Sequence, residues 1–166
     1  RWPGQEAVRL DRGWLQAEPV QIPDEGLTLV CWLRQNGPGS HTVSGGAGGV
    51  VGVGSGWWDG WRLVANPRSG SLEFTLGRPE VGGVSASCRS TLYTGRWHHI
   101  AVGWDRRSIF VYVDGELRAE TAYDGDYTPS VRQHPFLRIG EFGYGIGTLK
   151  VDVAEMALFS GALSAG

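Results

Sequence analysis

Chemistry that depends on amines, thiols or phosphate loops has little to work with in this chain. Lys150 is the only lysine, Met156 the only methionine, and Cys31 and Cys88 the only cysteines. A single lysine leaves one candidate for Schiff-base formation. Neither cysteine has a CxxC neighbour, so zinc and dithiol redox sites lack their spacing. No GxGxxG and no GKS or GKT occurs. Gly52-Val53-Gly54-Ser55-Gly56 falls short of both phosphate loops, and no helical pattern follows it. No GxSxG nucleophile elbow is present. Charge is sparse at 19%, with 15 basic against 17 acidic side chains and a formal net charge of −2. That excludes a partner held by nucleic-acid phosphates, which needs a net basic face. Hydrophobic residues make up 41% of the chain and form no run long enough for membrane insertion. The same content is too high for a disordered chain.

Turn formers and aromatics fill the gap. Glycine accounts for 27 of the 166 residues and tryptophan for 8. No segment keeps a helical period. Short alternating runs follow one another between Gly, Pro and Asp. In Leu27-Thr28-Leu29-Val30-Cys31-Trp32-Leu33, the residues Leu27, Leu29, Cys31 and Leu33 share one face. Trp61 to Ala65 and Ser71 to Leu76 flank an Asn66-Pro67-Arg68-Ser69-Gly70 turn and read as a hairpin. Further runs are Val84 to Leu92, Trp97 to Trp104, Ser108 to Val113, Glu116 to Thr121, Phe136 to Gly140 and Lys150 to Phe159. Asp114-Gly115 between two of them is a type I′ hairpin signal, since both central residues need positive φ. Asp105 fits a turn as well. Strands at near-regular spacing without helices predict an all-β fold, a two-sheet antiparallel jelly-roll sandwich, formed by residues 1–166 as one domain. Leu29, Cys31, Ile100, Val102, Val111, Val113, Leu137 and Ile139 are expected between the sheets, and Trp32 and Trp97 are expected to be structural. The cysteines fit one disulfide or two buried thiols. The chain opens on Arg1 with no apolar signal core after it, which reads as a piece of something longer.

The same residues carry a family resemblance. Gly95-Arg96-Trp97-His98-His99-Ile100-Ala101-Val102, Trp104-Asp105 and Val111-Tyr112-Val113-Asp114-Gly115-Glu116-Leu117 form one signature. Leu137-Arg138-Ile139-Gly140 and Glu155-Met156-Ala157-Leu158-Phe159 through Ala162-Leu163-Ser164 extend it. Together they resemble the laminin-G-like domains of the concanavalin A-like lectin/glucanase jelly-roll superfamily. The resemblance covers about residues 7 to 164. It implies a concanavalin A-like sandwich that serves in sugar-binding modules, adhesion domains or parts of large secreted enzymes. It implies placement outside the cell, secreted or on the cell surface, in a monomeric module linked to other domains. The near-exclusive use of Arg over Lys fits a GC-rich bacterial coding sequence. Many relatives hold a structural calcium through an Asp of the closing strand. That position falls on Ala154, and Asp152, two residues earlier on the same face, is the substitute metal ligand.

Catalytic constellations are incomplete. His98 and His99 are strand neighbours pointing to opposite faces, so they do not chelate one ion together. Lys150-Val151-Asp152-Val153-Ala154-Glu155 is similar to the E-x-D-x-x-E pattern of jelly-roll glycosidases, but Lys150 stands at the nucleophile position and forms no glycosyl ester. No catalytic residue is assigned. Ligand-binding candidates are Trp57, Trp58, Asp59 and Arg62, with Tyr144 from a second aromatic set that includes Tyr123 and Tyr127. Indoles on a loop suit stacking on a pyranose C–H face, and Asp59 and Arg62 suit hydroxyls or a uronate. The expected function is therefore a non-catalytic carbohydrate-binding module recognising a glycan or polysaccharide. A protein–protein adhesion module and a polysaccharide-degrading enzyme on the same fold are the alternatives.

Overall fold

A computed structural model describes residues 6–11, 13–19, 25–38, 47–54, 57–79, 81–89, 92, 95–123, 136–140 and 148–163. Twelve strands run through them in chain order. They are β1 (Val8–Asp11), β2 (Leu15–Pro19), β3 (Leu27–Pro38), β4 (Gly48–Val53), β5 (Trp61–Asn66) and β6 (Ser71–Leu76), followed by β7 (Val84–Cys88), β8 (Trp97–Trp104), β9 (Ser108–Val113), β10 (Glu116–Ala122), β11 (Phe136–Ile139) and β12 (Leu149–Ser160). The first sheet has the order β1-β12-β3-β8-β9-β10 and the second β2-β11-β4-β5-β6-β7. Every pairing is antiparallel. The described residues contain no helix. This is the two-sheet sandwich expected from the alternating runs.

Alternation explains how the layers meet. In β3, Leu27, Leu29, Cys31 and Leu33 point inward, opposite Trp104, Val102, Ile100 and His98 of β8. Ile109, Val111 and Val113 of β9 continue that face. From the second sheet, Trp61, Leu63 and Ala65 of β5 and Leu72, Phe74 and Leu76 of β6 close onto it. The Trp61 and Phe74 rings meet at 6.0 Å, in a tilted pair. Of the eight residues expected between the sheets, six are buried, and Leu137 and Ile139 pack against the core while half-buried.

The hairpin between β9 and β10 forms as its Asp-Gly pair requires, with φ of 55° at Asp114 and 83° at Gly115. The Asp114 carboxylate then ties the turn to β8. It accepts the His99 backbone N–H at 2.9 Å and meets His98 Nδ1 at 2.8 Å. His98 is buried and His99 half-buried on the other face, which assigns both a structural place. Asp105 closes its turn by accepting the backbone N–H groups of Arg107 and Ser108 at 2.9 and 2.7 Å.

Trp32 and Trp97, expected to be structural, take their places outside the interlayer core. Alternation sends Cys31, Leu33, His98 and Ile100 inward, so both indoles lie half-buried on the outer face of the first sheet. Trp32 meets His99 edge-on at 5.4 Å, and Trp97 lies under the Arg34 guanidinium at 4.8 Å. The run from Val84 stops as a strand at Cys88 rather than reaching Leu92.

The cysteines are two buried thiols with no disulfide between them, on strands of opposite sheets. Burial pushes the Cys31 thiol up to about 12. A thiolate is the reactive form, so neither cysteine should react with Ellman's reagent until the chain unfolds, and a reductant should leave the melting temperature unchanged. Rapid native-state labelling would contradict the burial. Leu63→Ala, at a fully buried position, should cost about 3 kcal/mol in urea unfolding. Val111→Asp should abolish soluble expression, because it buries an unpaired carboxylate.

Candidate functional site on the outer face of the second sheet

Strand β5 commits Trp61 and Leu63 to the core, and the residue between them must point the other way. That residue is Arg62. Register places it beside Thr75 of β6 on one side and Gly52 of β4 on the other. Thr75 pairs with Ser85, and Gly52 pairs with Arg138 of β11, which pairs with Gln16 of β2. The outer face therefore carries one row across all six strands: Gln16, Arg138, Gly52, Arg62, Thr75, Ser85.

Both arginines in this row are backed by indoles. The Arg62 guanidinium lies over the Trp57 ring at 5.3 Å and the Arg138 guanidinium over the Trp14 ring at 5.0 Å. The Arg62 side chain is only 14% exposed, and its nearest carboxylate is Glu73, at 3.7 Å. Burial pulls the Arg62 pKa down, against the charge and hydrogen bond of Glu73. Glu73 also accepts the Thr75 hydroxyl at 3.2 Å, and Thr75 shares a 2.8 Å hydrogen bond with Ser85. The Nε atoms of Arg62 and Arg138 are buried without a hydrogen-bond partner.

The loop that presents Trp57 and Trp58 is pinned. Arg78 donates its backbone N–H to the Trp57 carbonyl at 3.2 Å, and Gly77 donates to Gly60 at 2.8 Å. Gly60 has φ +67°, and a Cβ there would fall 2.0 Å from the Val53 carbonyl oxygen. A Cβ at Gly82 would meet Trp57 Nε1 at 2.9 Å, so the indole edge seats on that glycine. Trp57 nonetheless stays 39% exposed and Trp58 56%, with Asp59 half-buried beside them.

The predicted residues are thus partly brought together. Trp57, Trp58, Asp59 and Arg62 share one corner of the second sheet. Tyr144 and Tyr127 lie outside the described residues. Tyr123 is buried, edge-on to Trp104 at 5.7 Å, and offers no ring to solvent. Asp152 belongs to the other sheet. Arg138 and Trp14 were not singled out from the sequence. Arg138 is the outward member of an alternating run, but only strand order shows what it stands beside.

Asp152 pairs across β12 with Arg9 of β1 and Arg34 of β3. Arg9 Nε donates to one carboxylate oxygen at 2.8 Å and Arg34 Nε to the other at 2.8 Å. Burial by itself raises this carboxyl's pKa, but hydrogen bonds from Arg9, Arg34 and Asn36 and the Arg34 charge hold it at about 2. A calcium ion does not fit this donor set, since two guanidiniums already take both oxygens. No group of three or more His, Cys, Asp or Glu converges among the described residues.

Residues 11–166 match a laminin G-type family described as the Concanavalin A-like lectin/glucanases superfamily. The chain belongs to that superfamily. No curated protein matches the chain. Among solved structures it is similar to NanB sialidase from Streptococcus pneumoniae, with a TM-score of 0.74, 13% identity, and 95% of this chain covered against 26% of that one. It is similar to the Ruminococcus gnavus IT-sialidase CBM40 bound to α2,3-sialyllactose, with a TM-score of 0.67, 13% identity, and 97% and 93% of the two chains covered. The binding domain of botulinum neurotoxin DC, in complex with SialylT, aligns with a TM-score of 0.64 and 14% identity over 86% of this chain and 34% of that one. The chain thus spans about a third of the toxin domain and about a quarter of the sialidase. At these identities the likeness is one of fold.

The Asp152 cluster has a calculable pH dependence. A carboxyl held near 2 rather than its ordinary 3.8 stabilises the fold by roughly 2 kcal/mol. Its folded pKa is depressed, so this stabilisation is complete above about pH 4 and is lost as pH falls toward 2. Asp152→Asn should destabilise by about 3 kcal/mol at pH 7, leaving two arginines without their anion. The gap to wild type should narrow between pH 4 and pH 2 in urea titrations. A gap independent of pH would show that the carboxylate's charge is not what holds the cluster.

Proposed function

We propose that this domain is a non-catalytic glycan-binding module that acts outside the cell, and that its site is the Trp57–Trp58 corner with Arg62. The observation that carries this reading is the exposure of two adjacent indoles on a pinned loop beside a desolvated guanidinium. A flat apolar face with a polar N–H suits the C–H face of a pyranose, and the guanidinium suits its oxygens. Two of the fold neighbours, the IT-sialidase CBM40 and the botulinum neurotoxin DC binding domain, are described in complex with sialyllactose and SialylT, which supports the same class of partner. The absence of an assigned catalytic role rests on the chemistry of the one segment that resembles a glycosidase motif. Asp152 there is held by two arginines, Lys150 lies 3.4 Å from Asp11, and Glu155 sits at positive φ in the bulge of β12.

Few contacts on an open face give affinities of about μM to mM. Screening the purified domain on a glycan array, followed by titration calorimetry of the hits, tests the reading. Trp57→Ala and Trp58→Ala should each weaken binding by about thirtyfold, roughly 2 kcal/mol, with little change in melting temperature for Trp58. Trp57→Ala should lower it modestly, since that ring also backs Arg62 and seats on Gly82. A domain that binds no glycan but captures a protein partner through the same indoles would establish the adhesion reading instead.

A further inference from the structure

In β6, Leu72, Phe74 and Leu76 are committed to the core, so Glu73 and Thr75 point to the same outer face as Arg62. Register sets Thr75 directly opposite Arg62, and Glu73 opposite Val64, one diagonal step away. Thr75 is buried, and its hydroxyl has one proton to give. That proton goes to Glu73 Oε1, at 3.2 Å, because a carboxylate only accepts. Ser85 is therefore the donor in the 2.8 Å bond that joins it to Thr75. Glu73 Oε1 is also the atom that faces the Arg62 guanidinium at 3.7 Å. A hydroxyl relay from β7 thus fixes the carboxylate beside the cation. The two partners are unequally covered: the Glu73 side chain is 37% exposed and that of Arg62 only 14%. The Trp57 ring covers the guanidinium from another side, at 5.3 Å. What this ion pair presents to solvent is mainly its anion.

From this we infer that the Trp57–Trp58 corner takes a neutral glycan, and that Glu73 is the specificity-determining residue that turns acidic glycans away. The inference rests on the glycan reading and names the class of glycan. Among the described residues the corner carries two guanidiniums, Arg62 and Arg78, against two carboxylates, Asp59 and Glu73, so positive charge is not in surplus. Arg78, whose backbone N–H holds the Trp57 carbonyl, lies over the Tyr123 ring at 5.7 Å. A sugar carboxylate brought to Arg62 comes up against the carboxylate of Glu73, and two like charges around one partly desolvated guanidinium repel. Burial already lowers the Arg62 pKa and the Glu73 charge counters it, so the cation depends on the partner it has. A hydroxyl escapes this penalty. It donates to Glu73 or accepts from Arg62, and two neighbouring hydroxyls do both. A fixed like charge set against the wrong ligand is a general source of selectivity. The sialylated ligands of the two fold neighbours are no guide to this corner, since the identities are 13% and 14%.

The test reads the glycan array in matched pairs, each a neutral glycan and the same glycan carrying a terminal sialate or uronate, such as lactose and 3′-sialyllactose. Titration calorimetry then gives the affinities of the pairs that bind. For the wild-type domain the neutral member should bind about tenfold tighter or more. Glu73→Gln keeps the side-chain size and an acceptor for Thr75, so the melting temperature should change little. It should raise the affinity for the acidic members by about tenfold, without a matching gain for the neutral ones. Adding Arg62→Gln to Glu73→Gln should take that gain away, which places the acidic group at Arg62. Thr75→Val keeps the carboxylate but cuts the relay, and should shift the preference toward the acidic members by a smaller factor. It supplies the second reading if Glu73→Gln fails to fold. A wild-type domain that prefers the acidic members would overturn the inference and leave the glycan reading standing. So would a preference that neither Glu73→Gln nor Thr75→Val moves. No binding of any glycan by the wild-type domain would remove the glycan reading and this inference with it.

Discussion

A strand places successive side chains on opposite faces, and in β5 that constraint decides almost everything about the candidate site. Trp61 and Leu63 are fully buried and form the centre of the interlayer core with Phe74. Neither is free to turn outward without emptying that core. Arg62 is therefore forced to the outer face, whatever its own solvation would prefer. The same logic fixes Arg138 between Leu137 and Ile139, which pack against the core from β11. The position of both cations follows from the burial of their apolar neighbours, so the site borrows its rigidity from the sandwich itself.

That rigidity comes at a cost in solvation. Arg62 is mostly removed from water, and an incompletely paired buried cation destabilises a fold. The indoles reduce the cost. Stacking a guanidinium on Trp57 or Trp14 replaces part of its hydration with the ring's negative face. The first sheet resolves the same problem differently, by supplying Asp152. The contrast matters because both rows lie on equivalent outer faces of one molecule. A pair of arginines completed from within is a structural clamp.

The layered fold was legible in the sequence because its signals are local. Alternation in Leu27 to Leu33 and in Ser108 to Val113 assigned the inner faces correctly, and Asp114-Gly115 marked the hairpin by its backbone chemistry. Trp32 and Trp97 obey the same parity: Cys31 and His98 point inward, so both indoles lie outside, against His99 and Arg34. The site was half legible. Trp57 to Arg62 lie within one short stretch and stood out as a cluster of indoles beside charge. Arg138 and Trp14 did not, because their relation to Arg62 exists only through the order β2-β11-β4-β5, which joins distant parts of the chain. Asp152 stood out in the sequence as a substitute metal ligand, not as the anion of two arginines, because Arg9 and Arg34 reach it across two separate strand pairings.

The loop carrying Trp57 and Trp58 adds a last constraint on what this face can recognise. A loop rich in glycine suggests mobility, yet Gly60, Gly77 and Gly82 act the other way. Each lets another part of the chain approach within a distance that a Cβ would forbid: the Val53 carbonyl, the Asp59 backbone and the Trp57 indole. The glycines thus hold the aromatic platform close to the sheet instead of freeing it. A platform fixed in this way would lose little conformational entropy on binding the proposed ligand. It also restricts the ligand. On the proposed reading, a ring seated against Trp57 uses the face that Arg62 leaves open, because the other face lies under the guanidinium and the Nε1 edge is seated on Gly82. If this face binds a glycan as proposed, the fixed placement of the Trp57 indole against the Arg62 guanidinium sets where the ligand's polar groups must lie relative to its apolar face.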